Sequence, residues 1–178
     1  MAKLHTELLT NGNFSLPALR TLKLRQTSLS DTSINALIPL VPNLRRVDIS
    51  FTDIRRPLLA SHDGFANLDK LSITSTDVSP DDLLLALSVA SRLRTLNIGA
   101  LGGSHGKRYG YGNVSTMTLR DGHLRSLTAI LSQNTVIENV NLVGNTKLAR
   151  DGDSIAEFVH LVGRRLKVRS PLKTGVCL

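Results

Sequence analysis

The sequence predicts an α/β solenoid, in which strand–helix units stack along the chain with parallel strands on the concave face. Three observations predict this fold. A short segment with alternating apolar positions recurs five times. Stretches with apolar residues at helical spacing lie between most of these segments. Hydrophobic residues make up 41% of the 178 residues while aromatic residues make up only 3%, so the core must be built from leucine, isoleucine and valine.

The five alternating segments have the same spacing of apolar residues and are each predicted to form one short strand. They begin at Leu19, Leu44, Leu68, Leu93 and Ile137. Successive starts are separated by 25, 24, 25 and 44 residues, so about twenty residues are inserted before the fifth segment. The period of two within each segment places one side of the strand inward. A small polar residue follows each strand except the fourth: Thr27, Thr52, Thr76 and Asn145.

Helices are predicted from apolar residues three or four positions apart. These residues are Ile34, Leu37 and Val41; Leu84 and Leu87; Leu124, Leu127 and Leu131; and Ile155, Phe158, Val159 and Val162. The segment Ser79-Pro80-Asp81-Asp82 combines an N-cap, a proline at the first helical position and two acidic residues in the first turn. Further predicted N-caps are Asp121 and Asp153, and the predicted helix ends are Asn134 and Gly163.

The pattern L-x-x-L-x-L-x-x-N/T-x-L, carried by the segments above, resembles the leucine-rich repeat. The stretch from Thr27 to Val47 is similar to the cysteine-containing subtype, found in F-box substrate receptors and ribonuclease-inhibitor-like proteins. Here threonines occupy the position of the first cysteine, and Val41 before Pro42 occupies the second. A threonine hydroxyl can bond to the backbone of the turn as asparagine or cysteine would. The resemblance implies a right-handed βα superhelix of five to six repeats in a single domain, residues 1–178. It implies no ubiquitin-ligase role, because no F-box motif is present.

Composition argues against several functional classes. The formal net charge is +8, and the single cysteine, Cys177, excludes an intramolecular disulfide and a four-cysteine zinc site. Neither an eighteen-residue apolar stretch nor a secretory signal is found, so we expect an intracellular protein, nuclear or cytoplasmic, with no membrane partner. The five histidines show no metal-ligand spacing, and no G-x-S-x-G motif occurs. We therefore expect no enzyme activity, no cofactor and no bound metal.

The outward side chains of the strands form the predicted binding face. A rigid sheet presents them at fixed spacing, which lowers the entropy cost of binding. The residues predicted to bind a partner there are Lys23, Arg25, Arg46, Asp48, Lys70, Asn97, Asn139 and Asn141.

The insertion at about residues 99–119 is the second predicted binding element. It holds six glycines and both tyrosines of the chain, Tyr109 and Tyr111, beside Lys107 and Arg108. It does not match a phosphate-binding loop, because Leu101 stands where the first glycine is required and Arg108 where serine or threonine is required. Two interpretations remain open, a flexible surface loop and a partner-binding loop anchored by the tyrosines.

The C-terminal segment, residues 164–178, is basic. Its cations include Arg164, Arg165, Lys167 and Arg169, and it contains no acidic residue. It is interpreted as a solvated end or last strand, as a site for an acidic protein or nucleic acid, or as a nuclear-import signal. The resulting hypothesis is a non-catalytic protein–protein interaction module, an adaptor or a subunit of a larger complex. The alternative is a nucleic-acid-associated factor that contacts phosphates through this segment.

Overall fold

Five parallel strands and four α-helices make up the computed structural model, which describes residues 15–55, 66–100, 119–145, 147–148 and 151–166. The elements, in chain order, are β1 (Thr21–Lys23), α1 (Asp31–Leu37), β2 (Arg46–Asp48), β3 (Lys70–Ser72), α2 (Pro80–Ser88), β4 (Thr95–Asn97), α3 (Asp121–Gln133), β5 (Asn139–Asn141) and α4 (Gly152–Leu161). Short 3-10 turns follow α1 at Ile38–Leu40 and α4 at Gly163–Arg165. The predicted α/β class and parallel sheet are confirmed.

The strands lie side by side in the order in which they occur in the chain. Thr21 pairs with Arg46, Arg46 with Lys70, Lys70 with Thr95, and Thr95 with Asn139. The spacings between these partners are therefore those of the apolar segments, including the long step before β5. Neighbouring segments of the sequence thus become neighbouring strands with no offset in register.

The same backbone hydrogen bonds recur at each step across the sheet. The carbonyl of Arg20 accepts from the amides of Arg45 and Arg46 at 2.9 and 3.0 Å. The carbonyls of Arg45, Asp69 and Arg94 each accept from the corresponding pair of amides on the next strand. Strands β2 to β5 are therefore each held at the amino-terminal end in the same way.

The core lies between the sheet and the helices. Three inward positions of each strand segment contribute to it, and the middle strands bury them completely. Leu68, Leu71 and Ile73 are at most 2% exposed, whereas Leu22 on β1 and Val140 on β5 are only half-buried. Helix α3 packs against both α2 and α4, and its buried residues Leu124, Leu127 and Leu131 join the same cluster.

A polar residue closes the turn after each of four strands, as predicted. The hydroxyls of Thr27, Thr52 and Thr76 donate to the carbonyl three residues earlier at 2.7–3.1 Å, and the Asn145 amide does the same at 2.9 Å. The residue immediately before each of them has a left-handed backbone. These residues are Gln26, Phe51, Ser75 and Gly144, with φ between 53° and 84°. Sequence reasoning missed this conformation because only the fourth position carries glycine.

The helix ends correct part of the prediction. Ser79 caps α2 as expected, since its hydroxyl accepts from the Asp82 amide at 3.1 Å, and Asn134 is the C-cap of α3. Asp121 and Asp153 are not N-caps, because the caps are Arg120 and Asp151. The Asp151 carboxylate accepts from the Asp153 amide at 3.1 Å, which starts α4 earlier than predicted. Helix α4 ends at Leu161 with Val162 as its C-cap, so Gly163 directly follows the cap, as expected of a glycine that ends a helix.

One predicted apolar position on the helices is wrong. Leu84 is half-buried and packs against the core beside the buried Leu83 and Leu87 of α2. Val159 is 45% exposed, and Ser154 is fully buried on α4 instead. The hydroxyl of Ser154 keeps hydrogen-bond partners when it is buried, because it is bonded to the charged side chains of Arg125 and Asp151.

A polar cluster joins α3 to the start of α4. Arg125 Nε donates to Ser154 Oγ at 2.8 Å, Ser154 Oγ donates to Asp151 Oδ2 at 2.7 Å, and the Arg125 guanidinium pairs directly with Asp151. The Ser154 hydrogen bond, with smaller contributions from the Asp153 amide and the Arg125 charge, lowers the pKa of Asp151 against the opposing effect of partial burial. The cluster therefore favours the ionised carboxylate in the folded protein.

We expect this cluster to make stability depend on pH in the acidic range. Because the pKa of Asp151 is lower in the folded than in the unfolded chain, its contribution is present above the ordinary aspartate pKa and is lost as the pH falls through the folded value. Urea unfolding of wild type and Asp151→Asn, measured between about pH 5 and pH 2, should show a shallower decline of stability for the variant. Identical declines would contradict the prediction.

Candidate functional site

Outward side chains of the five strands form two continuous rows across one side of the sheet, here called the sheet face. Strand pairing aligns them residue by residue. The first row is Thr21, Arg46, Lys70, Thr95 and Asn139, and the second is Lys23, Asp48, Ser72, Asn97 and Asn141. Most of the predicted partner-binding residues are therefore brought together on one surface.

The two rows differ in exposure and in charge from one end to the other. Lys23, Arg46 and Lys70 on the first three strands are exposed. Asp48 is half-buried and is the only acidic residue of the two rows. On β4 and β5 the outward residues are uncharged, and among them Asn141 is exposed while Asn97 and Asn139 are half-buried. The face thus has a cationic side and a neutral, amide-rich side.

Hydrogen bonds fix several of these side chains. Asn97 Nδ2 donates to Ser72 Oγ at 2.8 Å across neighbouring strands. Asp48 Oδ1 accepts from the Ser50 amide at 3.1 Å, and Asn141 Oδ1 accepts from the Val143 amide at 3.0 Å. Side chains held in this way lose little rotamer freedom when a ligand binds, so the surface is pre-organised.

Arg25 extends the cationic side beyond the end of β1. Its guanidinium carbon lies 4.8 Å from the centre of the Phe51 ring, within the range of a cation–π contact. Phe51 was not among the predicted site residues. It stands at the left-handed turn position of the second unit, the position of Gln26 in the first and Ser75 in the third. The aromatic residue at this turn position was the feature of the sequence from which Phe51 could have been predicted as a site residue.

Just beyond the strands, Ser50, Thr74 and Gly99 belong to a third row, and the space for a side chain in this row is smallest at Gly99. Ser50 Oγ accepts from the Thr74 amide at 3.2 Å in this row. A β-carbon built on Gly99 would lie 2.8 Å from the Val143 carbonyl oxygen and 3.3 Å from Thr74 Cγ2. Backbone of the next unit therefore occupies the space that a side chain would need.

We expect Gly99→Ala to destabilise the protein by about 1–3 kcal/mol, because the added methyl group overlaps a backbone atom that cannot move without disturbing β5. Gly152→Ala is the matched control, since nothing lies within 4 Å of its added β-carbon. Urea denaturation measures both variants. A Gly99→Ala protein as stable as the control would show that β4 and β5 do not approach this closely.

The basic C-terminal segment is described only as far as residue 166. Arg164 is exposed. The Arg165 guanidinium donates to the carbonyls of Leu131, Ser132 and Leu161 at 3.1–3.2 Å and also bonds to that of Asn134. Arg165 thus compensates the negative end of α3. Charge reversal at Arg165 would disturb folding, so Arg164 is the better position for testing phosphate binding.

Several predicted binding residues lie outside the described part of the chain. They are Lys107, Arg108, Tyr109 and Tyr111 of the insertion, and Lys167 and Arg169 of the C-terminal segment. Their roles stay predictions.

The described residues contain no group of three or more histidine, cysteine, aspartate or glutamate side chains placed to hold a metal ion. In the same ranges, no helix has both the length and the apolar character needed to cross a bilayer. No known family's model matches the chain, and no curated protein matches it. The geometry of the sheet face is therefore the basis on which a function can be assigned.

Proposed function

We propose that this chain is a leucine-rich-repeat solenoid that binds another protein through the sheet face, without catalysing a reaction. The in-register rows of outward side chains carry the proposal. A ligand-binding surface of this kind needs side chains at fixed positions, and the strands supply them about 4.8 Å apart.

The repeat assignment is supported by three features that recur with the strand spacing. The residue before each of the first four strands accepts hydrogen bonds from the next strand through its carbonyl. In each of four turns that follow a strand, a threonine or asparagine side chain closes the turn by a hydrogen bond. A left-handed residue precedes each of these four. Units related in this way bury a continuous core only when they are stacked, which is the principle of a solenoid.

The role proposed is that of an adaptor or a subunit of a larger intracellular assembly. Neutral amides and hydroxyls on β4 and β5 can hydrogen-bond to polypeptide backbone, and the cations on β1 to β3 can pair with carboxylates. The Gly/Tyr-rich insertion is proposed to add contacts to the same partner, because it directly follows β4 in the chain.

Blocking the sheet face tests the proposal. Thr95→Arg with Asn139→Arg places two bulky side chains at paired positions of β4 and β5. Ser126→Arg with Ala129→Arg is the matched control, with the same added charge at exposed positions of α3. We expect affinity purification with quantitative mass spectrometry, at low and high salt, to show partners lost from the face variant and kept by the control. Equal recovery by both variants would contradict the proposal.

A further inference from the structure

We infer that the sheet face binds an extended acidic polypeptide segment, whose carboxylates lie on β1 to β3 and whose uncharged part crosses β4 and β5. This inference rests on the proposed function and specifies the chemistry of the partner. The residues that carry it are the basic half (Lys23, Arg25, Arg46 and Lys70) and the neutral half (Thr95, Asn97, Asn139 and Asn141).

The basic half presents four cations against one carboxylate. Arg46 and Lys70 are paired neighbours on β2 and β3, and both are exposed. Side chains on adjacent strands start about 4.8 Å apart, well within the screening length of about 8 Å at physiological salt, so their potentials add. Asp48 keeps its negative charge while its carboxylate accepts the Ser50 amide, so it offsets one of the four cations and the half retains three net positive charges. The half is therefore complementary to a run of carboxylates.

The residues next to the neutral half add no net charge to it. At the amino-terminal edge of β4 and β5, Arg94 Nη1 pairs with Glu138 Oε1 at 2.8 Å, so these two charges cancel locally. The remaining outward groups are amides and hydroxyls, which can donate to and accept from a peptide backbone. An acidic run extending over the whole face would gain nothing there, which limits the acidic part of the ligand to one end.

The dimensions fit a short extended segment lying across the strands. Four inter-strand steps of about 4.8 Å span roughly 19 Å, which about six residues of extended polypeptide cover. Such a segment would place about four residues on the three strands of the basic half and about two on the two strands of the neutral half.

The same features disfavour nucleic acid as the occupant of this face. Binding to single strands relies on aromatic side chains that stack on bases, together with an uninterrupted cationic groove. The Phe51 ring beside the basic half is already stacked against Arg25. Asp48 interrupts the cationic row, and the neutral half offers no partner for further phosphates. We therefore expect this face to bind the acidic polypeptide in preference to nucleic acid.

Selection from a displayed library of random peptides of about twelve residues, with the full-length chain as bait, tests the inference. We expect selected peptides to carry a cluster of aspartate and glutamate at one end. Selection on Arg46→Glu with Lys70→Glu should lose this enrichment. The control, Arg92→Glu with Arg120→Glu, makes the same change in net charge at exposed positions off the face and should retain it. Thermal melting followed by circular dichroism establishes that each variant folds, and Arg46→Gln with Lys70→Gln provides a milder pair.

Affinity of a selected peptide should fall about tenfold or more in the Glu pair and less in the Gln pair, measured by fluorescence anisotropy. Peptides without acidic enrichment, or equal losses in face and control variants, would overturn the inference. The inference would also be overturned if a fluorescent single-stranded oligonucleotide bound the wild type more tightly than the selected peptide does and if this binding were lost in the Glu pair. If the Thr95→Arg, Asn139→Arg variant loses its protein partners while the Glu pair still selects the same peptides as wild type, the acidic ligand is wrong and the proposed function stands.

Discussion

Truncating Leu71 to alanine should cost about 2–5 kcal/mol of unfolding free energy. Leu71 is 1% exposed and lies at the centre of the sheet, where its partners in register are Val47 and Leu96. Units stacked on both sides cannot collapse into the space left by the side chain without shifting two strands. The loss therefore combines the transfer free energy of the removed groups with the cost of a cavity. Urea denaturation monitored by circular dichroism measures it.

The adjacent residue provides the control. Lys70 points to the opposite side of β3 and is exposed, so Lys70→Ala should change stability by no more than about 0.5 kcal/mol. A shift of one residue in register would exchange the two environments. Equal costs for Leu71→Ala and Lys70→Ala would therefore contradict the strand register. Lys70→Ala also separates folding from binding, since it removes one cation of the basic half and leaves the core intact.

The strands could be predicted because their signal is local and repeated. Alternation within a segment sets which side faces inward, and the spacing between Leu44, Leu68 and Leu93 sets which residues become neighbours. Helix boundaries were less accurate. The carboxylate that caps α4 is Asp151, two residues before the predicted Asp153, and both candidates are aspartates beside the same glycine. The pairing of Asp151 with Arg125 of α3 distinguishes them, and that contact crosses between helices.

The sheet face was predictable for the same reason as the strands, but its details were not. Alternation placed Lys23, Arg46 and Lys70 outward. It could not reveal that Arg25 stacks on Phe51, because that contact requires the left-handed backbone at Phe51. Nor could composition distinguish Arg165 from its neighbours in the basic segment. Its guanidinium serves the carboxyl end of α3, a contact between residues more than thirty positions apart.

Asn145 differs in function from the threonines at the corresponding turns. Like them, it bonds to the carbonyl three residues earlier, that of Leu142. Its Nδ2 also donates to the Ile98 carbonyl at 3.0 Å, and its Oδ1 accepts from the Leu119 amide at 2.9 Å. Ile98 precedes the insertion and Leu119 ends it, and both are fully buried. One side chain in the fifth unit therefore ties together the two ends of the inserted segment.

Asn145→Thr tests this role, because it introduces the residue that the first three units carry at this turn. Threonine can keep the bond to Leu142 but cannot reach both ends of the insertion. Leaving a buried group unsatisfied costs about 1–3 kcal/mol, so losing the bonds to Ile98 and Leu119 should destabilise the protein by about 2–4 kcal/mol. Asn145→Ala should be only slightly worse. Thr52→Ala, which removes a single turn bond, should cost about 1 kcal/mol by the same urea measurement.

The comparison of the three variants decides between two accounts of the fifth unit. If Asn145→Thr is as stable as wild type, the asparagine merely closes its own turn, and the ends of the insertion are held by their backbone contacts alone. If it loses about as much as Asn145→Ala, the bonds across the insertion carry the energy. That outcome explains how about twenty extra residues fit between β4 and β5 without disturbing the register, because the Asn145 amide satisfies the Ile98 carbonyl and the Leu119 N–H, two buried backbone groups at the ends of the insertion.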